Sequence, residues 1–227
     1  MNSATVGANR LNSLGKVVNF LMGVQIVLML VSIVSAGMLR ASLPEDSVLL
    51  VDETTEQRIA HLQIIWGGSE LLWILMFVIT GILFLVWMAR AHANLQNLGA
   101  SGLRHSPVWA VVGWFIPIAN LWYPFSVMRE TWRASDPEFP HGEWRNAPSS
   151  PLIPLWWALW IVAGGLGYAE RLASSLDTVE VQSVLALSML GNAVTIVCAV
   201  IAMQLVKRIG ARQLQKAQSL TPLPVGT

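Results

Sequence analysis

Four apolar runs separated by shorter polar stretches set the pattern of this chain, at 17–38, 64–88, 152–168 and 184–205. A helix rises 1.5 Å per residue and a hydrocarbon core is about 30 Å thick, so runs of roughly 17–25 apolar residues predict membrane-spanning helices. The first run follows Arg10 and Lys16 and ends near Ser35-Ala36-Gly37, which is also the layout of a secretory signal. The apolar region of a signal is only about 7–15 residues long, which favours an uncleaved anchor. The polar stretch 40–58 is acidic and turn-rich, with Pro44, Glu45, Asp46, Asp52, Glu53 and Glu56, and reads as an external loop. Beyond the second run, Trp87, Arg90, Asn94 and Leu98 recur at helical spacing, so this helix is expected to continue to a C-cap at Gly99.

A fifth apolar stretch breaks the pattern. Residues 107–128 carry Pro107, Pro117, Pro124 and Asn120, and their aromatic residues Trp109, Trp114, Trp122 and Tyr123 suit the headgroup level. Pro117 and Pro124 each remove a helical hydrogen bond, although Gly113 would relieve the ring clash of Pro117 at the preceding turn. Freed backbone groups at membrane depth need partners, which Asn120 or neighbouring helices could supply.

The basic residues test whether this stretch crosses, because short cytoplasmic loops hold the excess of Lys and Arg. If it does not cross, 11 of the 14 basic residues lie on the side of the termini and Arg40, Arg58 and Arg171 lie on the other. If it does cross, the better of the two orientations leaves nine inside and five outside. The expected fold class is therefore all-α, a multi-pass membrane helix bundle of four transmembrane helices plus a Trp/Pro-rich re-entrant or interfacial segment. Its organisation is a cytoplasmic N-terminal segment 1–16, one membrane domain 17–205 and a cytoplasmic tail 206–227, in a bacterial inner membrane.

Composition agrees. Hydrophobic residues make up 54% and charged residues 12%, against about 25% charged in soluble domains. A net charge of +1 gives no reason to expect nucleic acid as a partner. Cys198 is the only cysteine, so neither an intrachain disulfide nor a cysteine metal site can form. The two hairpins do not align as a repeat, which removes the main sequence sign of an inverted-repeat transporter.

Three blocks carry a resemblance. They are Trp87-x-x-Arg90-Ala-His-Ala-Asn94-Leu-x-x-Leu-Gly99-Ala, then Ser106-Pro-x-Trp-Ala-Val-x-Gly113-Trp114-Phe-Ile-Pro117-Ile-Ala-Asn120-Leu, then Arg129-Glu130-x-Trp132-Arg133-Ala-Ser after Pro124. In composition and order they resemble the bacterial domain-of-unknown-function 4328 family. The resemblance implies a multi-pass bacterial membrane protein and no activity.

Candidate binding residues follow from placement. Arg90 and Asn94 sit four apart and can converge on a lipid phosphate or on carbonyls of the central segment; the competing reading is that Arg90 snorkels at a helix C-terminus. Arg129, Glu130 and Arg133 with Trp132 form a candidate surface for anionic headgroups, each juxtamembrane cation being worth about 1 kcal/mol, and a plain topology anchor explains them equally well. Trp114, Pro117 and Asn120 are the residues on which the central segment is expected to depend. Glu70 is an acidic side chain within a span and needs a partner, for which Asn192 and Arg171 are candidates, unless it snorkels to the nearby interface. Gly164, Gly165 and Gly167 are expected to permit close helix approach. His92, His105 and His141 read as solvated loop residues, and no partner motif turns His141-Gly-Glu143 into a metal site. No nucleophile elbow, phosphate loop or dinucleotide fingerprint is present. The leading reading is a non-enzymatic module that contacts membrane lipids, with a membrane protein partner or a second copy as further candidate partners and no cofactor. The alternatives are a small transporter or channel-like protein built on Glu70 and the 107–128 segment, and a membrane enzyme acting on lipid, which would need Arg90, His92, Arg129 and Glu130 in one pocket.

Overall fold

The computed structural model describes residues 3–43, 53–139, 143–176 and 179–220. Helices α1 (Ser3–Ser42), α2 (Glu53–Asn97), α3 (Trp109–Val112), α4 (Tyr123–Ala134), α5 (Leu152–Ser174) and α6 (Val181–Ser219) follow in order, and no strand occurs among the described residues. Two 3₁₀ turns, Ala119–Leu121 and Glu143–Asn146, flank α4 in sequence. The long helices α1, α2, α5 and α6 are each apolar enough to cross a membrane, and only 17% to 28% of their most apolar windows is buried within the protein. Apolar surface left open on that scale is a surface for lipid, and the protein is membrane-spanning.

The helices outrun the apolar runs. Helix α1 begins at Ser3 inside the stretch read as a polar N-terminal segment, α2 begins at Glu53 inside the acidic loop, and α6 carries on to Ser219. Hydropathy marks where a helix meets lipid, whereas backbone hydrogen bonding continues as long as a face can be packed. Ala4 and Ala8 of α1, Leu98 just past α2 and Ala217 of α6 supply that packing in one buried cluster. Of the 40–58 stretch, Pro44, Glu45, Asp46 and Asp52 lie outside the described residues, as does His141.

The chain forms two compact units, each drawing on all four long helices. The first contains the chain up to Phe20, from Thr80 to Trp157 and from Ile201 onward. Its helices approach closely where side chains are small: Gly15 faces the Trp87 indole and Val206, and Gly210 faces Asn12. Asn19 Nδ2 donates to the Met203 carbonyl at 3.3 Å. The second unit contains Leu21–Ile79 and Ala158–Val200. Ala36, Leu39, Leu62 and Leu185 form its buried cluster. Gln25 Nε2 donates to the Met76 carbonyl at 3.0 Å, and Phe77 lies between Trp73 and Trp160 at centroid distances of 5.2 and 6.1 Å.

One expectation fails here. A Cβ added at Gly164, Gly165 or Gly167 would meet nothing within 4 Å, so these glycines face open space and bring no helices together. Spacing along one helix cannot say which face a neighbour covers.

Candidate functional site

Helix α2 stops where the sequence places its cap. Gly99 has a positive φ of 79°, its amide donates to the Gln96 carbonyl at 3.1 Å, and the Ala100 amide reaches back to the Leu95 carbonyl at 2.9 Å. That is the Schellman arrangement, which glycine adopts without steric cost. The chain then passes Gly102, enters α3, turns through Ala119–Leu121 and starts α4 with Pro124 in its first turn, where the missing N–H costs no helical bond.

The two flanks of this excursion are bonded to each other within the first unit. Trp144 Nε1 donates to the Ser101 carbonyl at 2.9 Å, and Arg145 Nη2 donates to the Gly102 carbonyl at 2.6 Å. A hydrocarbon core is about 30 Å thick, so a segment whose ends meet at hydrogen-bond distance returns to the side it left. The segment displays apolar surface: Val108 is 66% exposed, Phe115 72%, Ile118 68% and Trp122 51%.

Inside the excursion, Gly113 is buried because Tyr123 crosses it. A Cβ there would stand 2.9 Å from Tyr123 Cβ and 3.0 Å from the Trp109 carbonyl oxygen. The expected role, relief of the Pro117 ring at the preceding turn, does not arise, because α3 ends at Val112. Asn120 Oδ1 is itself buried without a hydrogen-bond partner, and of the two expected sources of partners for freed carbonyls it is a neighbouring helix that serves here. Trp157 of α5 supplies the donor, its Nε1 reaching the Leu121 carbonyl at 2.9 Å. Trp114 turns inward to an aromatic cluster with Phe84, Trp156 and Trp157 at centroid distances of 5.8 to 6.3 Å. Pro117 is exposed, whereas Trp109 stacks on Tyr123 at 5.1 Å.

Glu130 is the hub beneath. Its side chain is 5% exposed. The Arg104 amide donates to Oε1 at 2.6 Å and the His105 amide to Oε2 at 3.2 Å. The rings of His105 and His92 reach Oε2 at 2.6 and 3.3 Å. Burial pushes the carboxyl up, but the hydrogen bonds from His92, the Arg104 amide and His105, together with attraction to the His105 ring, outweigh it and bring the group from 4.5 to about 2. Glu130 is therefore a carboxylate that ties the loop before the excursion to α2 and α4. His92 and His105, expected to be solvated, are buried and half-buried parts of this hub, because His92 lies on the inward face of the α2 extension.

Next to the hub lies a cavity of about 210 Å³ lined by Arg104, His105, Ser126, Arg129, Glu130, Arg133, Trp144 and Arg145. Arg129 and Arg133 stand one turn apart on α4, Arg104 comes from the loop before the excursion, and Arg145 comes from the 3₁₀ turn after it. Of the residues singled out from sequence, Arg129 and Arg133 thus meet in one place, and Glu130 forms its wall instead of its surface. Trp132 is buried on another face of α4 under Arg212, whose guanidinium lies 4.3 Å from the ring. Arg90 and Asn94 do not converge: Arg90 is exposed, and Asn94 Nδ2 donates to Gln213 Oε1 at 3.2 Å. Arg104 and Arg145 were not singled out; each is a lone cation in a polar loop, and only the closing of the loops makes them neighbours.

In the second unit Glu70 has the partner expected of it. Asn192 Nδ2 donates to Glu70 Oε1 at 3.1 Å and to Ser32 Oγ at 3.0 Å, and Ser32 Oγ also donates to Glu70. No group of three His, Cys, Asp or Glu among the described residues is placed to hold a metal ion.

Compared with known families, residues 52–211 match a family model described as a domain of unknown function (DUF4328). No curated protein and no solved structure matches the chain.

Proposed function

We propose that this protein, which belongs to the DUF4328 family of domains of unknown function, is a non-enzymatic multi-pass membrane module that engages lipid at one membrane face through its 107–128 segment. The observation that carries this reading is the excursion itself: exposed Val108, Phe115, Ile118 and Trp122 project from a base closed by the Ser101–Trp144 and Gly102–Arg145 bonds. In a chain with four spanning helices, an apolar surface next to the spans is most stable against acyl chains and headgroups. The distribution of Lys and Arg supports an orientation with both termini in the cytoplasm, 11 basic residues against three.

An enzymatic role on lipid fits less well. The Glu130 oxygens are taken by four donors, which leaves no free base there, and Arg90 does not line the cavity. The Ser32–Glu70–Asn192 network favours a second reading, a small transporter with Glu70 on its path. Glu70→Gln keeps hydrogen-bonding capacity while removing the charge, so it abolishes transport under that reading and leaves lipid engagement untouched under the first.

The test is a fluorophore on Ile118→Cys, in a Cys198→Ala background, with the protein in lipid nanodiscs. Lipid engagement predicts strong quenching by lipids labelled high on the acyl chain and weak quenching by aqueous iodide. Quenching by iodide alone contradicts it.

A further inference from the structure

Four arginines, Arg104, Arg129, Arg133 and Arg145, line the cavity beside Glu130, and none of them is ion-paired: among the described residues the ion pairs are His92–Glu130, His105–Glu130 and Arg212–Asp136. The single carboxylate in the wall is committed to the hub. Like charges lining one cavity repel, and flexible side chains splay into solvent unless something holds them.

Here they are held. The Arg145 guanidinium is fixed to the Gly102 carbonyl and lies 5.3 Å from the Trp144 ring, while Trp144 is itself pinned to Ser101. Gly102, at φ 66°, leaves room for this: a Cβ there would stand 3.0 Å from Arg145 Nη2. The Arg129 guanidinium lies 5.4 Å from the Phe125 ring. The Arg104 backbone is tied to Glu130, and Arg133 Nε is buried without a hydrogen-bond partner. Positive charge arranged in advance and left unmatched is a site waiting for an anion.

We infer that this cavity binds a phosphomonoester group, held by Arg104, Arg129, Arg133 and Arg145 with the Ser126 hydroxyl as an added donor. A guanidinium fork pairs best with two oxygens at once, and four forks need more acceptors than one carboxylate offers. A phosphodiester leaves two free oxygens and a phosphomonoester three, with up to two negative charges near neutral pH. Pockets that enclose a drug-sized ligand run to roughly 300–1,000 Å³, so this cavity of about 210 Å³ takes the phosphate and leaves the rest of the molecule outside. The inference rests on the lipid-engaging reading only for the source of the phosphate, whether the headgroup of a lipid or a soluble ester.

The experiment uses the full-length protein in mild detergent, with three probes: short-chain phosphatidic acid, phosphatidylglycerol of the same chain length, and inorganic phosphate. Phosphatidic acid is expected to bind more tightly than phosphatidylglycerol. Arg129→Gln/Arg133→Gln is expected to weaken that binding about tenfold or more. Arg145→Gln, on a different element, should also weaken it while leaving helical content and elution volume unchanged, which keeps the test decisive if the double variant does not fold. Binding of phosphatidic acid but not of inorganic phosphate assigns the lipid source; equal binding of both assigns a soluble ester and stands even if Ile118 proves to be in water. Three results overturn the inference: binding of neither phosphatidic acid nor inorganic phosphate, equal affinity for phosphatidylglycerol and phosphatidic acid, or full binding retained by both arginine variants.

Discussion

The backbone amide of Arg104 donates to Glu130 Oε1 at 2.6 Å, so a residue before the excursion is fixed to a residue after it. With the two histidines and the His105 amide on the other oxygen, that bond makes one buried carboxylate the fastener of the segment's base.

Replacing Glu130 by Ala strands buried donors and is expected to cost about 3 kcal/mol, read as a lower midpoint of thermal unfolding in detergent. The pH dependence has a definite sign. The carboxyl sits at about 2 in the folded protein against 4.5 ordinarily, so the unfolded chain binds the proton first. The stabilisation is complete above 4.5 and is lost as pH falls from there through about 2. Glu130→Gln should unfold at lower temperature near pH 7 and show a flatter acid limb than the parent.

Two glycines in apolar stretches should respond oppositely to alanine. At Gly113 the new methyl meets Tyr123 Cβ at 2.9 Å and the Trp109 carbonyl oxygen at 3.0 Å, and overpacking of this kind costs about 1–3 kcal/mol. At Gly164 it meets open space in a helix interior, where alanine is preferred to glycine by about 0.5–1 kcal/mol. Unfolding midpoints of the two variants should fall on opposite sides of the parent.

Lys216 is buried at 2% exposure, and its Nζ donates to the carbonyls of Ala134 and Phe139 at 3.0 Å each. The first of these ends α4, so the ammonium satisfies an orphan carbonyl and the negative end of the helix dipole together. Lys216→Met fills similar space without the donor, and it is expected to cost about 1–3 kcal/mol and to speed amide exchange over residues 131–139.

The sequence carried the four spans, the Gly99 cap and the Glu70–Asn192 pair, because each rests on local rules: length for spans, φ for a cap, pairing for a carboxylate in a span. It did not carry the helix extensions at Ser3 and Ser219, since small residues such as Ala8 and Ala217 announce packing only once their neighbours are known. The site was half legible. Arg129 and Arg133 share a helical face and could be paired from spacing, but Arg104 and Arg145 join them only through bonds between loops far apart in sequence. Glu130 looked like a surface residue between two arginines because nothing local shows that His92, twelve residues beyond Thr80 on another helix, packs against it.

The non-crossing excursion is tested most directly by cysteine accessibility in intact cells, in a Cys198→Ala background. Ser101, Ser149 and Ser174 are exposed, and each is replaced by cysteine singly and treated with a membrane-impermeant maleimide. Ser101→Cys and Ser149→Cys should behave alike, protected in intact cells and labelled after permeabilisation, while Ser174→Cys labels from outside. Labelling that differs between positions 101 and 149 would contradict the account, because the segment between them would then cross the membrane.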